Sequence, residues 1–390
     1  MVPAMAERDH DIVLFGATGF TGGLTADYLA KNAPEGIRWA IAGRNRSKLE
    51  AVRERVGKPD LPLLHADAGD PGSLREVAQS TRVVATTVGP YIHFGEPIAA
   101  ACAEAGTDYA DITGEPEFVD TVYARHHERA AETGARLVHC CGFDSIPHDL
   151  GAYFTVKQLP EGVPIAVDAY VRVGGKPSGG TYQTAITGIS RARETARAAK
   201  ARRAMERRPE GRSVRGSKRP PHRRSEMGAW ALPMPTIDPQ IVLRSARALE
   251  RYGPDFSYGH FLAVKRLPVA LGLVGGVAGV AVAAQVPPAR KWLLGRMEAG
   301  EGPSPARREK GWFKVRFFGE GGGKRVVCEV SGGDPGYSET SKMLSEAALC
   351  LASDDLPQTS GQVTTAQAMG DRLIERLEAA GMGFAVIEAT

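Results

Sequence analysis

No two of the five cysteines, Cys102, Cys140, Cys141, Cys328 and Cys350, stand in a C-x-x-C spacing, and their number is odd. That pattern suits neither a disulfide framework nor a thiolate zinc site, so reduced thiols in a cytoplasmic setting are expected and no metal. The first ten residues carry acids and no apolar run, and no secretory signal is expected from them. The basic stretch from Arg191 to His222 has no aromatic residue among its charges, which speaks against a base-stacking nucleic-acid surface. Internal repeats are absent. What is present, 43% apolar and 24% charged residues, is the composition of an ordinary globular chain.

A length of 390 residues implies two or three domains. The net charge of +4 is unevenly spread. Fourteen of the 49 Lys and Arg and three of the 45 Asp and Glu fall in 191–225, so that arm carries +11 and the remainder −7.

Up to about residue 140, short β-runs alternate with helical patterns. Strands are expected at Asp11–Phe15, Trp39–Ala42, Pro62–His65, Val83–Val88, Tyr109–Ile112 and Arg136–Cys140. Helices are expected over Thr21–Asn32, Ser47–Val56, Pro97–Ala105 and Glu115–Thr133. Such alternation makes βαβ units and a parallel sheet covered on both faces. The fold class is therefore α/β: an N-terminal Rossmann-type doubly wound parallel sheet, followed by a second α+β domain and a C-terminal helix packing back on the first. The expected boundaries are 1–150 for the nucleotide domain, 151–363 for the second domain and 364–390 for the terminal helix. In the second domain, Val163–Val173 alternates as a strand, with Gly174-Gly175 and Gly179-Gly180 as punctuation. Arg191–Arg208 reads as a basic helix and Pro209–Pro221 as a polar loop. Trp312–Phe318 and Lys324–Val330 flank a Gly-rich turn as a hairpin. Met369, Leu373, Ile374 and Leu377 share one face of the last helix, and Gly381 is its expected C-cap.

The apolar run Ile12–Phe15 opens directly into Gly16-Ala17-Thr18-Gly19-Phe20-Thr21-Gly22. Strand, glycine turn and helix in that order form a pyrophosphate cradle. Gly16 permits the turn, Gly19 admits the phosphate, and Gly22 lets helix and strand approach. The second strand ends in Ala42-Gly43-Arg44-Asn45, where an NAD site places an acid. Arg44, with Asn45 beside it and Lys48 one turn on, suits a 2′-phosphate, so the expected cofactor is NADP(H). Asp67 follows the third strand and reads equally as an adenine contact or a turn. Val88-Gly89-Pro90 follows the fourth, at the edge where a nicotinamide ribose would lie.

Five stretches together resemble the saccharopine dehydrogenase-like reductases, in particular their trans-acting enoyl reductase subgroup: GATGFTG (16–22), AGRN (42–45), VGPY (88–91), YADITGE (109–115) and CGFDSIPHDLG (141–151). The tail has Thr364-Thr365-Ala366-Gln367 where that pattern has Thr-Pro. The resemblance implies an NADPH-dependent reductase acting on the enoyl double bond of a polyketide or fatty-acyl thioester, with the substrate on a carrier. It also implies hydride delivery to the β-carbon and protonation at the α-carbon. Tyr91, Asp144 and Ser145 are the candidate catalytic residues. Tyr91 also reads as a stacking aromatic and Ser145 as a helix N-cap before Pro147. His139 and His148 flank the block and read as structural. Two other functions stay open: a saccharopine-type amino-acid reductase, and a non-catalytic nucleotide-binding, lipid-interacting protein.

Residues 267–286 carry no charge and have the length of a bilayer core, between Lys265-Arg266 and Arg290-Lys291. Spanning helix, core helix and membrane-docking segment all remain open. The basic arm reads as a solvated helix and loop, or as a contact for anionic lipid or an acidic carrier at the inner face of the plasma membrane.

Overall fold

A computed structural model of the protein describes residues 8–174, 186–284, 286, 288–289 and 304–390. Lys176–Gly180 and the Arg290-Lys291 flank lie outside them. The chain divides into two compact units, Met1–Gly142 with Thr340–Arg376, and Phe143–Glu339 with Leu377–Thr390.

In the first unit β1 (His10–Phe15), β2 (Trp39–Gly43), β3 (Leu63–His65), β4 (Thr81–Thr86), β5 (Asp108–Asp111), β6 (Arg136–Val138) and β14 (Gly361–Val363) form one sheet. Its order is β14-β6-β5-β4-β1-β2-β3, and every pair is parallel. Ile12, Val13 and Leu14 on β1 and Val83, Val84 and Ala85 on β4 are wholly buried. Such continuous apolar strands belong to a sheet covered on both faces. The strand order reverses between β1 and β4, which opens a ligand crevice at their carboxyl ends. The covering helices include α1 (Phe20–Asn32), α2 (Arg46–Arg55), α3 (Pro71–Ser80), α4 (Tyr91–Phe94), α5 (Glu96–Ala105) and α6 (Pro116–Thr133). Helix α3 is not among the helices expected from the sequence. Asp70 starts it, accepting from Gly72 N at 2.9 Å, with Pro71 at the first helical position.

The second unit is built on an eight-stranded mixed sheet. Its strands are β7 (Ile165–Gly174), β8 (Ser213–Gly216), β9 (His222–Arg224), β10 (Ala229–Pro233), β11 (Asp255–Val264), β12 (Trp312–Gly321), β13 (Lys324–Gly332) and β15 (Gly383–Ala389). The order is β15-β13-β12-β7-β11-β10-β9, with β8 on β11. Tyr170, Ala231, Phe261, Phe318 and Val327 pack together in this unit. Helix α7 (Ile146–Lys157) lies against β7, β12 and β13. A Cβ on Gly151 would stand 2.4 Å from the Phe317 ring, so only glycine permits that approach. The expected hairpin is present, but its strands run closer together in sequence. Gly322 and Gly323, at φ +58° and +77°, make the whole turn.

Two sequence expectations change. Pro209–Pro221, read as a loop, contains β8, paired parallel to β11. Arg212 anchors it from far away in sequence, donating to the carbonyls of Ala246, Leu249 and Gly253 at 2.8, 2.9 and 3.0 Å. The terminal segment is not all helix. After α12 (Thr365–Ala368) and α13 (Gly370–Ala379), residues 383–389 become β15, antiparallel to β13. For these labels α8 is Ala192–Met205, α9 Asp238–Ala248, α10 Leu267–Ala284 and α11 Ser338–Ser353.

Part of the basic arm is spent on structure. Arg202 pairs with Glu206, Arg215 with Asp255 and Arg219 with Asp168, while Arg224 lies 4.2 Å over the Phe318 ring. The apolar run folds as α10. Its far end packs Val280, Ala283 and Ala284 against Ile186 and Ile189. Its first half is not a core helix, because Leu267, Val269, Leu271, Leu273 and Val274 are all exposed and only Ala270 is covered. Among the described residues no helix is long and apolar enough to cross a membrane; the side chains of 277, 278, 281 and 282, within α10, lie outside that set.

Candidate functional site

The glycine turn has the geometry its sequence implied. Gly16 sits at φ +96°, and its carbonyl accepts from Gly19 N at 3.0 Å and from Thr87 Oγ1 at 3.2 Å. A Cβ on Gly22 would lie 2.1 Å from the Gly16 oxygen, so β1 and α1 meet as closely as glycine allows. Gly19 is different. It has ordinary φ, −78°, and a Cβ there would meet only the Gly16 oxygen at 3.5 Å. What Gly19 keeps bare is the ligand side. It is also the N-cap of α1, and no side chain caps that helix. First-turn N–H groups have no intrahelical partner and suit an anion. Ala17 is buried under the turn, Thr18 is exposed, and Phe20 and Thr21 are half-buried.

Arg44 is exposed at the end of β2 and has no hydrogen-bond or ion-pair partner among the described residues. Asn45 is committed to α2, where its Oδ1 accepts from Lys48 N at 2.9 Å. Lys48 is exposed in the first turn of α2. Asp67 makes a turn, its Oδ1 accepting from Gly69 N at 2.9 Å. Val88 N donates to Thr86 Oγ1 at 3.2 Å, and Gly89 and Pro90 are exposed beyond it. A turn that needs glycine at 16 and 22 and stays bare at Gly19, with an unspent arginine at the end of β2, fits NADP. The glycine turn would hold its pyrophosphate, Arg44 and Lys48 its 2′-phosphate.

The YADITGE stretch builds the floor of this unit. The Asp111 carboxylate accepts from Tyr109 OH (2.8 Å), His139 Nδ1 (2.6 Å), Cys140 N (2.9 Å) and Thr113 N (3.1 Å). Glu115 accepts from Tyr91 N and Ile92 N at 3.0 and 2.8 Å, holding the start of α4. Tyr91 is buried, its hydroxyl donates to the Thr86 carbonyl at 2.9 Å, and burial raises its pKa well above normal. Its geometry gives it a place in the packing of β4.

The second unit carries another polar cluster. Ser145 heads α7 at φ 130°, in the left-handed region that strains a residue with a Cβ. It occupies the N-cap position, yet its hydroxyl makes no cap bond; Oγ instead donates to Asp238 Oδ1 at 3.3 Å. Asp144, partly exposed beside it, has its carboxyl pushed up to about 7, first by burial and then by the Asp238 carboxylate, against the opposing pull of His148. Asp238 opens α9 and is almost fully buried with His148 of α7 and His260 of β11. Burial works against the Asp238 charge, but the two imidazoles outweigh it and hold the carboxyl well below its usual range. Nothing in the sequence singles out Asp238 or His260, and His148 reads there as structural or surface-exposed. No spacing in the chain links 148, 238 and 260.

A Rossmann sheet with this cradle and this cation defines the class, an NADP-dependent oxidoreductase. Residues 12–138 match the saccharopine dehydrogenase NADP binding domain. A Mycobacterium tuberculosis protein, provisionally named a trans-acting enoyl reductase, is 38% identical over 96% of this chain and 97% of its own. The trans-acting enoyl reductase of Mycobacterium ulcerans is 35% identical and the saccharopine dehydrogenase-like oxidoreductase of Bos taurus 31%, each over 99% of both chains. Apo saccharopine dehydrogenase (L-Glu forming) from Saccharomyces cerevisiae shares the fold, with a TM-score of 0.55 at 12% identity over 97% of this chain and all of that one. The chain belongs to the saccharopine dehydrogenase-like oxidoreductase family.

Proposed function

We propose that the protein reduces the carbon–carbon double bond of an enoyl thioester, a polyketide or fatty-acyl chain, with NADPH. The observation that carries this reading is the near full-length relationship to proteins named trans-acting enoyl reductases, with the cradle intact. Bound NADPH supplies the hydride for the β-carbon. The chain's own residues bind and orient. The glycine turn and α1 hold the pyrophosphate, and Arg44 selects the 2′-phosphate. Asp144 donates the proton to the α-carbon, and Ser145, held by Asp238, fixes the strained turn that carries it. Purified protein should oxidise NADPH when given a crotonyl-type thioester. NADPH retained without turnover on any enoyl thioester would favour a scaffold role instead, and turnover on an amino-acid substrate a saccharopine-type reaction.

A greasy substrate also gives the exposed half of α10 a purpose. Five large apolar side chains face solvent there directly after the exposed Lys265 and Arg266. Apolar anchors beside cations match an anionic lipid surface. On this reading the protein docks peripherally, and the arginines of the basic arm already engaged within the fold, Arg202, Arg212, Arg215, Arg219 and Arg224, contribute little. Binding to an acidic carrier protein but not to anionic vesicles would replace the lipid by the carrier.

A further inference from the structure

We infer that His148, Asp238 and His260 form a binding site for a divalent transition metal of the zinc class, with one coordination position open. Three elements distant in sequence bring one ligand atom each to within 4.8 Å of one another, and all three residues are buried. Asp238 Oδ1 lies 3.1 Å from His148 Nδ1, and Asp238 Oδ2 lies 3.5 Å from His260 Nε2. Zinc bonds of 2.0–2.2 Å in a tetrahedron put neighbouring ligand atoms about 3.3–3.5 Å apart. The His148 pair is a little shorter than that edge and the His260 pair, made to the other carboxylate oxygen, is at its upper end.

Ordinary histidine–aspartate hydrogen bonds do not explain the arrangement. Neither His148 Nδ1 nor His260 Nε2 makes a hydrogen bond, and His148 Nε2 has no partner either. Both residues are at most 5% exposed, so water does not satisfy them at the surface. Buried polar nitrogens without partners are uncommon and costly. Donor atoms that converge without bonding to one another suit a shared central ion.

The outer contacts fit as well. Tyr258 OH and His260 Nδ1 are 3.1 Å apart, which leaves Nε2 as the nitrogen available to an ion. Thr236 Oγ1 donates to Asp238 Oδ2 at 2.5 Å and Ser145 Oγ to Oδ1 at 3.3 Å. Orientation of ligands by such second contacts is the rule in metal sites. Two imidazoles and one carboxylate, with no thiolate, suit zinc or ferrous iron over copper(I) or calcium. Three protein ligands are the number found where a fourth position serves a substrate. The metal site does not depend on the enoyl thioester reading.

The test uses the full-length chain, stripped with a chelator and titrated with Zn2+ against a chromophoric chelator, without substrate. About one equivalent per chain should bind and survive desalting. His148→Gln and His260→Gln, which preserve bulk, should each weaken binding by at least about a hundredfold, while Thr236→Val should weaken it about tenfold. Co2+ in the same site should give the intense visible bands of tetrahedral coordination. An unchanged circular dichroism spectrum and melting profile would confirm that each variant is folded. Less than a tenth of an equivalent of zinc on the native chain, or unchanged affinity in the His148→Gln/His260→Gln double variant, would overturn the proposal. So would a weak, octahedral cobalt spectrum. None of these readouts depends on enoyl reduction.

Discussion

Replacing Gly22 by alanine puts a methyl group where there is no room for one. Its Cβ would lie 2.1 Å from the Gly16 carbonyl oxygen and 2.7 Å from Thr87 Oγ1. The first obstacle is backbone at the end of a buried strand, so α1 must retreat from β1 by roughly 1 Å at its start. Overpacking against a rigid wall costs about 3 kcal/mol. For a unit of this size that is a fall in Tm of roughly 6–12 °C. The same retreat carries the first-turn N–H groups away from the pyrophosphate, and a loss of about 3 kcal/mol there is about a hundredfold in NADPH affinity. Gly19→Ala is the matched control. Its Cβ meets only an oxygen at 3.5 Å and its φ is ordinary, so Tm should stay within about 2 °C of native. Its methyl nevertheless stands on the ligand side, and NADPH affinity should drop at least about tenfold. Thermal melts and NADPH fluorescence titrations read both quantities. The reasoning is refuted if Gly22→Ala melts like the native protein, or if Gly19→Ala binds NADPH unchanged.

Arg44→Asp should raise the KM for NADPH far more than that for NADH; equal effects on both would remove Arg44 from cofactor selection. Asp144→Asn should abolish most turnover on a crotonyl-type thioester while NADPH affinity stays native, which steady-state rates and titration separate; undiminished kcat would discard Asp144 as the acid. Leu271→Asp/Val274→Asp should abolish sedimentation with anionic vesicles without changing turnover on a short soluble thioester, and persistent sedimentation would clear α10 of the role. Asp354 is drawn up by burial, but the Arg376 guanidinium, 2.6 Å away, outweighs this and holds it below the usual carboxylate range. A lowered folded-state pKa means the pair stabilises above the ordinary carboxylate pKa of about 4 and ceases to do so as pH falls through the lower folded value. Arg376→Gln should therefore be less stable than native near neutrality, with the difference shrinking below about pH 4 in denaturant titrations. A difference that is constant down to pH 2 would show that the pair contributes nothing.

The parallel sheet was legible because its signals are local. Ile12–Phe15 and Val83–Ala85 are continuous apolar runs, and each is followed at once by residues that can only turn or start a helix. Helix α3 was missed because Asp-Pro-Gly resembles a loop until Asp70 is seen capping it. Strand β8 was read as loop because neither its partner β11 nor the three carbonyls that Arg212 ties lie nearby in sequence. Charge misled in the same way. The arm 191–225 looks like a free polycation, yet its partners Asp168, Asp255 and Phe318 come from other strands.

The sequence by itself determined the cradle, its preference for a phosphorylated ribose and the family, since each depends on consecutive residues whose geometry is set by the next few peptide bonds. Tertiary structure alone decided that the Tyr91 hydroxyl is spent on Thr86, that the Ser145 hydroxyl leaves its own helix for Asp238, and that half of the apolar run lies open to solvent. It alone also brought His148, Asp238 and His260 together. Contacts across 90 and 112 residues are set by how α7, α9 and β11 pack in the second unit, and no local pattern encodes that packing.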